Sequence, residues 1–136
     1  MNNKLFYITI FFFISFLLAG DANVFNEYNA QPGNDNEVTI SWLTKDESNV
    51  KYFVVMRSND NKATFSSIAQ INKKGPGYDY RYVDENVFFK SSGLVVYRID
   101  AISSNGSTVE ATGTMDVRPN LTGIFKTWGA IKAIFR

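Results

Sequence analysis

The segment Glu37-Val-Thr-Ile-Ser-Trp-Leu43 decides the fold. Val38, Ile40 and Trp42 alternate with Thr39 and Ser41, the period of two that sends successive side chains to opposite faces of a strand. β-Branched and aromatic residues fill the segment, and neither Pro nor Gly interrupts it. A strand of this kind has one apolar face, which must be covered by another layer of structure. Upstream, Gln31-Pro-Gly-Asn-Asp-Asn36 is turn chemistry, and Val24–Tyr28 before it reads as a first strand.

Downstream, Thr44–Asn49 is a polar connection, and Val50–Arg57 is a strand with apolar residues on both faces over part of its length. Asn59-Asp-Asn61 is a turn, and Phe65–Ile71 a weaker strand. Lys73-Lys-Gly-Pro-Gly77 breaks the chain. Tyr78–Asp84 alternates again, and Leu94–Ser103 is a long strand. Asn105-Gly106 is a strong hairpin signal, so Thr108–Val117 is expected to return as its partner. Seven strands at this spacing, with no sustained helical period from 21 to 117, predict an all-β antiparallel sandwich of two face-to-face sheets. The expected core includes Val38, Ile40, Trp42, Phe53, Val55, Tyr97, Ile99 and Ala101.

The two ends differ from this body. Residues 1–20 carry one lysine, Lys4, and then a mostly apolar run from Leu5 to Leu18, followed by the small residues Ala19 and Gly20. This is the layout of a secretory signal peptide, and the run falls short of the roughly 20 residues that span a bilayer. Export to the periplasm, cell surface or medium is therefore expected, with an uncleaved membrane anchor as the alternative. The body, residues 21–118, precedes a linker and tail, 119–136. Residues 21–120 hold ten Lys/Arg against thirteen Asp/Glu, whereas 121–136 hold Lys126, Lys132 and Arg136 with no acid. A slightly acidic body argues against nucleic acid, which needs a basic face.

Cysteine and histidine are both absent from the chain. That removes disulfides, thiolate metal sites, a cysteine nucleophile, and the commonest general base and zinc ligand. No cofactor and no metal are expected. Asp46 with Glu47 and Asp84 with Glu85 are sequence neighbours that should point apart, so they read as ionised turn residues rather than acid–base couples. Asp35, Glu37, Asp60 and Asp79 could meet only through loops, and no EF-hand spacing links them. No phosphate-binding glycine loop or Gly-x-Ser-x-Gly elbow occurs.

Several motifs taken together resemble the fibronectin type III family over roughly residues 22–118. Val38-Thr-Ile-Ser-Trp42 is similar to its second strand with the core tryptophan. Tyr52-Phe-Val-Val-Met-Arg-Ser58 with Phe65 and Ile68 resembles the third strand and its continuation. Tyr82-Val-Asp84, Tyr97-Arg-Ile-Asp-Ala-Ile102 and Asn105-Gly106 resemble the closing strands and last hairpin. The resemblance implies an immunoglobulin-like sandwich in a small exported bacterial protein, serving as an adhesive, spacing or enzyme-accessory module, and it brings no catalytic residues. One position departs: the family usually has a tyrosine two residues before the aromatic matched to Tyr97, and here Val95 stands there. The loop from Asn86 to Gly93 must then be held in some other way.

Two candidate binding features remain. Tyr78, Tyr80 and Tyr82 fall on one side of a strand, either as a stripe for stacking on sugars or peptides or as sheet packing. In the tail, Ile124, Trp128, Ile131 and Phe135 repeat at helical spacing, with Phe125 beside them and Lys126, Lys132 and Arg136 off that face. This short basic amphipathic helix is marginal alone in water and needs a surface. Its own sandwich, a partner protein and an anionic membrane are the three options. The ending Trp128-Gly-Ala-Ile-Lys132 is similar to those of other small exported bacterial sandwich proteins, which implies a recognition tag.

The expected role is a non-enzymatic binding or adhesion module whose partner is a protein or envelope component. The alternatives are a structural subunit docked through its tail, or an accessory domain for a polymer-degrading enzyme. Nothing in the sequence gives the oligomeric state.

Overall fold

The computed structural model describes residues 24–34, 36–85, 87, 93–118 and 131–134. Eight strands follow one another: β1 (Phe25–Pro32), β2 (Val38–Thr44), β3 (Tyr52–Ser58), β4 (Ser66–Asn72), β5 (Asp79–Asp84), β6 (Val95–Ile102), β7 (Thr108–Ala111) and β8 (Met115–Val117). One sheet has the order β1-β2-β5 and the other β4-β3-β6-β7, with β8 also pairing β6. Every pairing is antiparallel.

Alternation in β2 sets the core. Val38, Ile40 and Trp42 are sealed from solvent, while Thr39 and Ser41 stay half-buried on the outer face. Phe53 and Val55 of β3, and Val95, Tyr97, Ile99 and Ala101 of β6, join them in one buried cluster with Met115 and Val117 of β8. Aromatic rings fill one end of it. Trp42 stacks on Tyr80 with centroids 5.1 Å apart and an interplanar angle of 3°, and Phe53 meets these rings at 5.8 and 5.0 Å. The Trp42 indole N–H has no acceptor among the described residues. Leaving a buried donor unpaired costs about 1–3 kcal/mol, which the burial and stacking of the ring offset.

The structure corrects the expected strand list at two places. β1 runs on to Pro32, inside the stretch assigned to a turn; an edge strand tolerates proline because one side of it has no ladder to feed. The run Thr108–Val117 is two strands, not one. Ile99 donates its N–H to the Thr112 hydroxyl (3.0 Å) and accepts from the Thr112 N–H (2.9 Å). The register then slips by one residue before Tyr97 pairs Met115. That bulge keeps Met115 and Val117 facing the core. At the break, the Tyr28 hydroxyl from β1 lies 3.3 Å from the Gly113 nitrogen, which donates to it.

At the other end of β5, Asp84 ties the sheets together. Its carboxylate accepts from Arg57 Nη1 of β3 (2.9 and 3.1 Å) and from the Tyr97 hydroxyl of β6 (2.8 Å). Tyr97 thus ties β6 to the end of β5. Beyond β5, Val87 is buried and its N–H donates to Asn36 O at 2.8 Å.

In the tail, Ile131–Ile134 form an exposed helical turn. Ile124, Phe125, Lys126, Trp128, Phe135 and Arg136 lie outside the described residues, as does the expected signal segment 1–20. Among the described residues no helix is long and apolar enough to cross a membrane.

Candidate functional site

The most elaborated part of the surface is the end of the sandwich where β2 hands over to β3 and β4 to β5. The first connection turns on Asp46, whose Oδ1 accepts the Ser48 N–H at 2.8 Å, while Val50 N–H donates to Glu47 O at 3.0 Å. That hydrogen bond holds the Asp46 carboxyl below the usual range and so keeps it ionised. The turn directs the next side chain inward, and Glu47 is only 3% exposed.

Three neutral donors satisfy the Glu47 carboxylate. Thr44 Oγ1 and the Tyr80 hydroxyl donate to Oε1 at 2.5 and 2.8 Å, and the Gly75 N–H donates to Oε2 at 2.8 Å. Tyr80 Oη in turn accepts the Lys74 N–H at 2.6 Å. Burial, partly opposed by that N–H and aided by Glu47, pushes the Tyr80 hydroxyl up to about 12, so it remains a donor at neutral pH. Lys73 Nζ donates to Glu47 O at 3.3 Å and Gly77 N–H to Thr44 O at 3.0 Å. Gly75 and Gly77 sit at φ of 116° and 79°, which lets Lys73-Lys-Gly-Pro-Gly77 fold back onto the first connection.

Between the two connections lies an open recess of about 580 Å³ lined by Asp46, Glu47, Ser48, Lys73, Lys74, Gly75 and Pro76. Tyr78 stands beside it, 43% exposed. Lys74 Nζ is 4.5 Å from the Tyr78 ring centroid and 3.0 Å from its hydroxyl. The Tyr80 ring lies 4.9 Å away in an edge arrangement. Tyr78 is therefore an aromatic group held in one orientation at the surface.

The tyrosine stripe does not form one binding surface. Tyr78 is exposed, Tyr82 is half-buried and Tyr80 is in the core, because the β2–β5 register sets it opposite Trp42. In the tail, Ile131 and Lys132 are exposed. The sequence reading took Glu47 and Asp84 for ionised turn residues; the structure buries both. A buried acid needs several donors, and only the fold brings Thr44, Gly75 and Tyr80 to Glu47, or Arg57 and Tyr97 to Asp84. A threonine three residues before Glu47 was the one local sign.

Asp60 is used within its own loop: it accepts from Ser58 Oγ at 2.7 Å and from the N–H and hydroxyl of Thr64, which lower its carboxyl to about 2. No three metal-binding side chains converge among the described residues. Glu47 acts as an anchor: three fixed donors bond its carboxylate, and the residue is almost wholly buried. The recess presents the side chains of Lys73 and Lys74, the carboxylates of Asp46 and Glu47, Ser48 and Pro76.

The three-plus-four order of antiparallel strands, with β8 prolonging the last, defines an Fn3-like sandwich. An Fn3-like protein from Clostridium thermocellum has a similar structure at 18% identity, covering 71% of this chain and 91% of that one with a TM-score of 0.51. A protein whose structure is described as a myokine matches at 13% identity, 72% and 98% coverage and a TM-score of 0.51. A pectate lyase from Pectobacterium carotovorum matches at 22% identity with a TM-score of 0.50, covering 70% of this chain and only 27% of the lyase. No family model and no curated sequence matches the chain.

Proposed function

We propose that this chain is an exported, non-enzymatic binding module, a member of the fibronectin type III family, which recognises its partner through the loop end formed by residues 45–51 and 73–78. The observation that supports this reading is the recess itself. Its floor is pinned to the core through Glu47, and Tyr78 and Lys74 are held at its edge. Preorganised surface groups lose little entropy on binding, which is the usual reason to fix them.

Co-sedimentation with washed envelope preparations of the native host tests the proposal. The chain truncated after Asn120 should be retained as well as the full chain, and Tyr78→Ala with Lys74→Ala should abolish retention. Loss on truncation, with no effect of the double substitution, would replace it by a second reading, a structural subunit docked through its tail. The observation favouring that reading is the exposed helical turn, in which Ile134 is 77% exposed.

A further inference from the structure

The outermost strand of a sheet carries N–H and C=O groups that face away from its one neighbour, and the edges of this sandwich are not protected alike. In the first sheet, β5 bears the exposed charges Asp79 and Arg81. β1 bears Glu27 and Pro32 and lies against β8, with the Tyr28 hydroxyl taking the Gly113 N–H. In the second sheet, the edge beside β6 is divided between β7 and β8, four and three residues long, with Glu110 and Asp116 among them. Charge, proline and short strands are the devices that keep an edge from pairing. β4 lacks all three. Ser66-Ser-Ile-Ala-Gln-Ile-Asn72 is seven residues long with no charge and no proline, and among the described residues it pairs β3 alone. A bulge at Ile68 bends its first part, after which Ala69–Asn72 keep regular register with Val55–Tyr52.

The regular part of this strand is its own complement. Ala69 and Ile71 pack on the core, whereas Gln70 and Asn72 are exposed on the outer face. Residues opposite each other in an antiparallel pair share a face, so a two-fold axis must set one residue against its own copy. An axis at Gln70 sets Ala69 opposite Ile71 of a second copy and Ile68 opposite Asn72, with the two Gln70 side chains facing each other. A primary amide both donates and accepts, so the two can bond across the axis. The next charges along the chain, Lys73 and Lys74, then stand opposite Ser67 and Ser66. Arg57, across from Ser66 on β3, is engaged by Asp84, and Lys62 by Asp116. No like charges stand opposite each other from Ser66 to Lys74. We propose that β4 is a dimer interface, at which two copies of this chain join by antiparallel β4–β4 pairing centred on Gln70 and extend the second sheet across both. Because β4 runs toward the recess, the two-fold carries the two recesses to opposite ends of the joined sheet.

The test is sedimentation velocity of the full chain, expressed in its host, from about 10 μM to about 1 mM. A reversible, concentration-dependent dimer is expected. Gln70→Lys sets two ammonium groups against each other on the axis, and Gln70→Glu two carboxylates. Each variant alone should raise the dimer dissociation constant about fivefold or more at about 0.01 M salt. An equimolar mixture of the two should restore association, because opposite charges then meet. Gln70 is exposed, so circular dichroism of both variants should match that of the parent chain. Arg81→Glu on the β5 edge and truncation after Asn120 should leave the dimer intact. A monomer at every concentration, or a dimer indifferent to both Gln70 variants, overturns the proposal. So does a pair of weakened variants that mixing does not restore, or a dimer lost on truncation.

Discussion

Replacing Glu47 tests whether its carboxylate organises the loop end. Glu47→Ala removes the acceptor of two buried hydroxyls, Thr44 and Tyr80, and of the Gly75 N–H. Each buried donor left without a partner costs about 1–3 kcal/mol, and Gly75, which is only half-buried, can turn to water at less cost. The sum is about 3–5 kcal/mol, a large part of the 5–15 kcal/mol typical of a whole domain. Glu47→Gln keeps one oxygen for the hydroxyls but places an amide against the Gly75 N–H, and so should cost about 1–3 kcal/mol. Guanidinium unfolding followed by circular dichroism gives both values, and hydrogen exchange at Gly75 reports the loop directly. The Gln variant should exchange faster at Gly75 while its core amides hold. A loss below about 1 kcal/mol for the Ala variant, or equal losses for the two, would refute the assignment of Glu47 as anchor.

Three further outcomes follow from the same physics. The Tyr80 and Tyr97 hydroxyls both titrate above their usual value in the folded chain, chiefly through burial, so the folded state holds protons that the unfolded chain has released. The stability these two hydroxyls contribute should hold below about pH 10 and fall as pH rises toward 12, and Tyr80→Phe should flatten part of that fall in unfolding titrations. Asp84→Ala strands Arg57 and the buried Tyr97 hydroxyl and should cost about 3–5 kcal/mol, against about 1–2 for Tyr97→Phe; additive losses in the double variant would show that the three do not act together. Gly77→Ala meets no neighbour but must hold φ near 79°, so it should lose about 1 kcal/mol or more in thermal unfolding, with Gly77→Asn milder.

The β class was legible because β2 alternates so strictly and because Asn105-Gly106 marks a hairpin without help from the rest of the chain. The break between β7 and β8 was not, since Thr112 reads as an ordinary strand residue until its hydroxyl is seen taking the Ile99 N–H. The tyrosine pattern showed that three rings share a side, but an alternating sequence cannot tell the inner face from the rim. Tyr80 is covered because Trp42 lies across from it, whereas Tyr78 lies just beyond the start of β5. Glu47 and Asp84 were least legible. A carboxylate in a polar stretch reads as solvated, and apart from Thr44 the donors that internalise it lie 28 to 33 residues away for Glu47, and 13 to 27 for Asp84.

The path from core to recess has a consequence for how this surface can vary. Trp42 stacks on Tyr80, Tyr80 donates to Glu47, and Glu47 accepts from Gly75, so the recess floor continues the same packed interior that closes the sandwich. Thr44, Glu47, Gly75, Gly77 and Tyr80 are therefore answerable to stability, because each makes a buried bond or holds a backbone conformation that side chains resist. Ser48, Lys73, Lys74, Pro76 and Tyr78 stand above that floor with little buried behind them. Their side chains can be exchanged at the cost of exposed contacts alone, usually within about 0.5 kcal/mol. A surface built this way can vary without renegotiating how the domain folds. Replacing Ser48 or Lys74 by Ala should then leave the unfolding midpoint nearly where it was.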